Sequence, residues 1–158
     1  MKTASIFVDV QNIYYTTKQS YGQNFDYNKF WALVTREREV VTAIAYATFR
    51  GDKKQTEFQN ILRGIGFKVK LKPFIKRGDG STKGDWDVGI AIDVMKYAQN
   101  SDVVILASGD GDFDLLLKEI KTSYNTQSEV FGVPGLTANS LINAATTFIP
   151  IEKSLLLK

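Results

Sequence analysis

The segment VVILASGDGDFDLLLKEI, Val103–Ile120, joins a run of branched apolar residues directly to aspartates at alternate positions, Asp110, Asp112 and Asp114. Val103–Ala107 reads as a short strand buried on both faces. From Phe113 the apolar residues recur as Phe113, Leu116, Leu117 and Ile120, the three-and-four spacing that gives a helix one apolar face. A buried strand passing through a short turn into an amphipathic helix is the repeating unit of a parallel sheet covered by helices. The aspartates occupy that turn. An unpaired buried carboxylate is costly and several together repel, so such a cluster usually needs a compensating cation.

The same alternation extends in both directions. Ser5–Val10, Val40–Phe49 and Glu129–Val133 carry strand signals, and Phe67–Phe74 reads as a strand whose alternate lysines place it where burial is lighter. Helical periods fall at Phe30, Leu33 and Val34; at Phe58, Ile61, Leu62 and Ile65; at Val88, Ala91, Ile92 and Met95; and at Leu141, Ile142 and Ala145. Gly64 and Gly66 are placed to stop the second of these helices, and Gly78 to Ser81 form a loop before the third. The pattern predicts a three-layer α/β/α fold with a mainly parallel central sheet. With 158 residues, 44% of them hydrophobic, and no linker, repeat or low-complexity stretch, one domain spanning 1–158 is expected.

Two absences narrow the chemistry. Without cysteine there is no disulfide, thiolate metal site or thiol nucleophile, and a cytoplasmic setting is the simple expectation. Without histidine, imidazole bases, triads and ligands drop out. The N-terminus MKTASIFVDV turns polar too soon for a secretory signal, and no run approaches the roughly eighteen apolar residues of a membrane helix, so no membrane role is expected.

In a parallel α/β sheet, ligands bind beyond the carboxyl ends of the strands. Asp9 ends the first strand, in FVDVQN. Asp110 and Asp112 follow the fourth, in ASGDGDF, and Asp85 and Asp87 open the third helix, in KGDWDVGIAID. Three separate segments thus bring carboxylates to one edge. Taken singly each has a plainer role, Asp112 as a helix N-cap and Asp87 as a first-turn acid favoured by the helix dipole. The DGDFD spacing also imitates a calcium-binding EF-hand loop, but Leu115 stands where the sixth-position glycine belongs and Lys121 where the closing glutamate belongs. A basic band, Arg63, Lys68, Lys70, Lys72, Lys76, Arg77 and Lys83 against the single acid Asp79, is either a solvated strand and loop or a surface for phosphates.

FVDVQN, KGDWDVGIAIDVM, ILASGDGDFDLLL and SLINAATTF, in this order, resemble the motifs of the NYN domain, the LabA-like branch of the PIN-like nucleases. The resemblance covers nearly the whole chain and implies a Rossmann-like, PIN-like fold whose aspartates bind Mg2+ or Mn2+ and cleave RNA or another phosphodiester. Carried over by motif, Asp9, Asp87 and Asp110 are implied as metal ligands, with Asp112 joining them, and Asn12 and Ser108 as supporting polar positions toward substrate. Asp85 and Asp93 rank second: Asp93 matches a recurrent family acid, yet six residues turn it about 240° away from Asp87 around a helix. Thr146, in AATTF, stands where the family often has an aspartate, which raises the question of a missing acidic contribution.

The expected function is therefore a divalent-metal-dependent nuclease, most naturally a ribonuclease. Lys76, Arg77 and Lys83 would grip the nucleic-acid backbone, and Tyr14, Tyr15 and Trp86 would either stack on unpaired bases or simply pack. The competing reading is a non-catalytic RNA- or protein-binding module that retains an acidic pocket. An aspartyl-phosphate phosphatase wants a second aspartate two residues after the first, and Asp9 is followed by Val10 and Gln11. A dinucleotide site wants a glycine-rich turn after the first strand, which is absent. Oligomeric state stays open, a homodimer included.

Overall fold

The computed structural model of the chain describes residues 1–49, 51–73, 75–76, 82–83 and 85–158. Six strands, β1 (Lys2–Asp9), β2 (Arg38–Phe49), β3 (Lys68–Pro73), β6 (Val103–Ala107), β7 (Gln127–Gly132) and β8 (Thr147–Pro150), form one sheet in the order β3-β2-β1-β6-β7-β8. Every pairing in it is parallel. Two-residue strands β4 (Ile75–Lys76) and β5 (Thr82–Lys83) make a separate antiparallel ribbon. The helices are α1 (Val10–Tyr21), α2 (Tyr27–Val34), α3 (Lys53–Ile65), α4 (Asp87–Ala98), α5 (Asp114–Tyr124) and α6 (Asn139–Ala144).

The chain steps outward from β1 through β2 to the edge strand β3, then crosses back to lay β6 against the other side of β1. At that reversal the two connections leave in opposite directions and open a crevice at the carboxyl ends, the usual ligand position in such sheets. Strand alternation divides the interior in two. Ala4, Ile6 and Val8 of β1 join Ile13, Phe30 and Leu62 from α1, α2 and α3, whereas Phe7 joins Ile90, Leu117 and Leu141 from α4, α5 and α6. The result is the expected three-layer sandwich, its parallel strands dry on both faces.

Some expectations needed correcting. Val10 opens α1 rather than closing β1, and α1 itself was not foreseen, because among VQNIYYTTKQSY only Ile13 and Thr17 are buried. Gly66 ends α3 at a positive φ of 139°, while Gly64 lies inside that helix. In α4 the expected apolar stripe is the wrong one: Val88 and Ile92 are 71% and 62% exposed, and the helix buries Ile90, Asp93, Val94 and Ala98. Strand β8 also escaped notice. Phe74, Arg77 and the Gly78 to Ser81 loop lie outside the described residues. Among the described residues, no helix is long and apolar enough to cross a membrane.

Candidate metal centre

The site begins with the pairing of β1 and β6. Val8 lies opposite Ala107, so the next residues, Asp9 and Ser108, meet as both strands end. The Ser108 hydroxyl donates to Asp9 Oδ2 at 3.2 Å and accepts the Asp110 N–H at 3.2 Å. Asp9 also caps α1, accepting the Asn12 N–H at 3.4 Å, and Asn12 Oδ1 in turn accepts the Gly109 N–H at 2.9 Å. Two polar side chains thereby tie the end of β1 to the turn after β6.

That turn is pressed tightly against the next connection. Gly109 O accepts the Ala138 N–H at 3.0 Å. A Cβ on Gly109 would come within 2.6 Å of Leu136 O, and one on Gly111 within 2.8 Å of Ala138 Cβ. Glycine is thus required at both positions by close approach. Asp110 caps the 3-10 turn Gly111–Phe113 by accepting the Asp112 N–H at 2.9 Å, which turns both carboxylates toward the crevice.

The third segment arrives from α4. Carboxylate oxygens of Asp87, Asp110 and Asp112 all lie within 4.8 Å of one another. Burial, a hydrogen bond with Asp110 and the charges of Asp110, Asp85 and Asp9 push the Asp87 carboxyl up to about 7. Asp9 is pushed up to about 6, chiefly by burial, with the charges of Asp110 and Asp85 adding to it and the Asn12 and Ser108 hydrogen bonds pulling the other way. Carboxyls that hold protons this firmly are under-compensated, and a divalent cation would replace the proton. Three carboxylates with no nitrogen or sulfur donor suit a hard, oxygen-preferring ion such as Mg2+ or Mn2+.

Residues 3–152 match the NYN domain. The chain belongs to the NYN domain family. Low amplitude and bright protein LabA of Synechococcus elongatus is 28% identical to it over 156 residues, covering 94% of this chain and 83% of that protein. The crystal structure of a protein of unknown function, VPA0982, from Vibrio parahaemolyticus matches with a TM-score of 0.95 and 53% identity over 99% of this chain and 96% of that one. Ribokinase from Giardia lamblia, with a TM-score of 0.52 and 15% identity over 96% of this chain and 58% of that one, shares the fold alone.

Of the acids singled out in the sequence, this NYN domain gathers Asp87, Asp110 and Asp112 into one group. Asp9 stands behind them, 8% exposed, and Asp85 stands beside them with its Oδ1 accepting the Asp87 N–H at 3.3 Å. Asp93 is elsewhere: it faces β2 and β3, where its Oδ2 accepts from Tyr46 Oη and from Lys70 Nζ, each at 2.7 Å. Ser108 has no exposed surface and its hydroxyl is hydrogen-bonded on both sides, bracing the turn, while Asn12 gives its carbonyl oxygen to the Gly109 N–H.

Thr146 is no gap in the acidic set. Its N–H donates to Ser128 Oγ at 3.1 Å and its Oγ1 accepts the Ser128 N–H at 3.0 Å, fixing it near the start of β7 at the amino edge of the sheet. That is about 16 Å, the length of a five-residue strand, from the crevice. Trp86 is committed too. Its Nε1 donates to Ala47 O at 2.9 Å, its ring lies 5.3 Å from that of Tyr46, and Lys72 Nζ covers it at 4.5 Å. Lys70 and Lys72 of the basic band therefore hold α4 and its cap to the edge strand. Tyr14 and Tyr15, each 52% exposed, meet edge-on with centroids 5.6 Å apart. The side chains of Lys76 and Lys83, like the whole of Arg77, are outside the described residues.

Proposed function

We propose that this NYN domain, taking the chain 1–158 as one unit, is a cytoplasmic metal-dependent nuclease that hydrolyses phosphodiester bonds, RNA being its substrate. The observation that carries the reading is the convergence of Asp87, Asp110 and Asp112, from two separate segments, at the sheet reversal of a nuclease-type fold. Bound there, Mg2+ or Mn2+ would lower the pKa of a coordinated water and neutralise charge on the phosphoryl oxygens.

The chain's own residues have distinct tasks. Asp87 and Asp110 hold the ion, and Asp112, the exposed member of the group, holds it or orients the attacking water. Asp9 backs them with its buried charge, and Ser108 and Asn12 keep the turn that carries Asp110 in register with β1. Tyr15 lies one helical turn beyond Asn12 and, with Tyr14, offers exposed rings on which an unpaired base can stack. Lys76 of β4 and Lys83 of β5, with Arg77 next to Lys76 in sequence, grip the sugar–phosphate backbone in this reading.

Cleavage of short end-labelled RNAs, single-stranded and structured, tests the proposal with Mg2+, Mn2+ or EDTA, alongside Asp110→Asn purified identically. Cleavage that requires metal and disappears in the variant supports it. No cleavage with either metal, together with equal RNA binding by both proteins, would replace it with a non-catalytic RNA-binding module.

A further inference from the structure

We propose that Asp93 is a positioning residue for the metal centre: it fixes the rotation of α4 on β2 and β3 so that Asp87, six residues earlier, stands beside Asp110. The inference rests on Asp87 and Asp110 holding a divalent ion. Asp93 is 8% exposed, and its Oδ2 takes both the Tyr46 hydroxyl and the Lys70 ammonium at 2.7 Å. An apolar side chain would fill that place without the desolvation cost of a partly buried ion pair. What the carboxylate adds is direction, because two donors from two strands meet one oxygen at one helix rotation.

The sheet register places this anchor level with the metal centre. Tyr46 pairs with Asp9 on one side and with Lys70 on the other. The start of α4 needs such an anchor: its N-cap residue, Trp86, makes no side-chain capping bond, and Asp87 stands against the carboxylates of Asp110 and Asp112. Trp86 pins the cap to Ala47 and Asp93 pins the second turn, so Asp87 is held between two fixed points. Side chains reach about 6 Å from a helix axis, so a turn of about 10° displaces a carboxylate by about 1 Å. Metal–ligand distances tolerate only about 0.2 Å. The same rotation of about 240° that sets the two acids apart keeps Asp93 from sharing an ion with Asp87.

Mn2+ affinity of the metal-free protein, read by electron paramagnetic resonance with no reliance on cleavage, is the test, with thermal unfolding followed in parallel. Asp93→Asn keeps an acceptor for Tyr46 and breaks the Lys70 pair; Tyr46→Phe removes the other bond. Each variant is expected to bind Mn2+ about tenfold to a hundredfold more weakly. Unchanged affinity in both, with only a lowered Tm, overturns the proposal in favour of a purely structural anchor. A loss above about a hundredfold in Asp93→Asn with none in Tyr46→Phe overturns it in favour of direct ligation. If Asp93→Asn does not fold, Tyr46→Phe decides alone. Wild-type protein that binds no Mn2+ overturns the metal centre itself, and this inference with it.

Discussion

Asparagine at position 9 keeps a side-chain acceptor for the N-cap of α1 and removes a charge that burial penalises. The Asp9 carboxyl titrates at about 6 in the fold against 3.8 when unfolded. A raised carboxyl favours folding fully only below the unfolded value, and that contribution is lost as pH rises through the folded one. The full difference is about 2 pH units, or about 3 kcal/mol, of which about 2 kcal/mol falls between about pH 4.5 and about pH 8. Below the unfolded value wild type is already neutral at this position and resembles Asp9→Asn. At about pH 8 in EDTA the variant should have gained about 2 kcal/mol on wild type relative to the difference at about pH 4.5, roughly 5 °C in Tm for a chain of this size. Urea or thermal unfolding followed by circular dichroism at several pH values measures it. A stability difference that is flat with pH, or that moves against the variant as pH rises, would refute the reasoning, since it would mean that Ser108 and Asn12 more than compensate the buried charge.

Mg2+ at a hundredfold over its dissociation constant should stabilise wild type by about 2.7 kcal/mol through mass action, a shift in Tm that Asp110→Asn loses. Gly109→Ala drives a Cβ against the Leu136 carbonyl, 2.6 Å away, and should cost about 2 kcal/mol in unfolding experiments while weakening Mn2+ binding by displacing Asp110. Thr146→Asp keeps its own N–H for Ser128 Oγ and offers a carboxylate oxygen to the Ser128 N–H, and it should leave Mn2+ affinity within about twofold of wild type, because the new acid sits at the opposite edge of the sheet, beyond a screening length of about 8 to 10 Å. A gain in affinity in that variant would contradict the placement of the site.

The sandwich was legible because its strongest signals are local. Buried strands such as Val103–Ala107 and the switch to a helical period at Phe113 need no knowledge of distant partners. The convergence of three aspartates was legible for a related reason: each lies at a strand end or helix start, and a parallel sheet carries such positions to one edge. Position within that edge was less legible. Nothing along the chain separates Asp9, which runs into Ser108 below the crevice, from Asp112, which is exposed above it.

The face of α4 failed for a physical reason. DVGIAIDVM contains two overlapping stripes, and the more apolar one, with Val88 and Ile92, points outward. The helix turns the other way because Asp93 finds Tyr46 and Lys70, residues 47 and 23 positions away in sequence. An aspartate read alone argues for solvent, whereas one supplied with two donors from neighbouring strands argues for the interior. The question raised by Thr146 was open for the same reason, since its partner Ser128 shows which edge of the sheet it occupies and a motif does not.

The hydrogen bond from Ser108 to Asp9 has a further consequence for how the centre can be divided. The part of the chain before α4 supplies Asp9 and Asn12 but none of the three converging carboxylates. The part from residue 85 onward supplies all three but lacks the strand against which their turn is aligned. Cut between β5 and α4, the protein would yield two pieces of which neither can order a complete ion site, and each would regain it only by zipping β1 to β6. Ion binding by such a mixture would count rejoined sheets, making the seam between those two strands a built-in reporter of assembly.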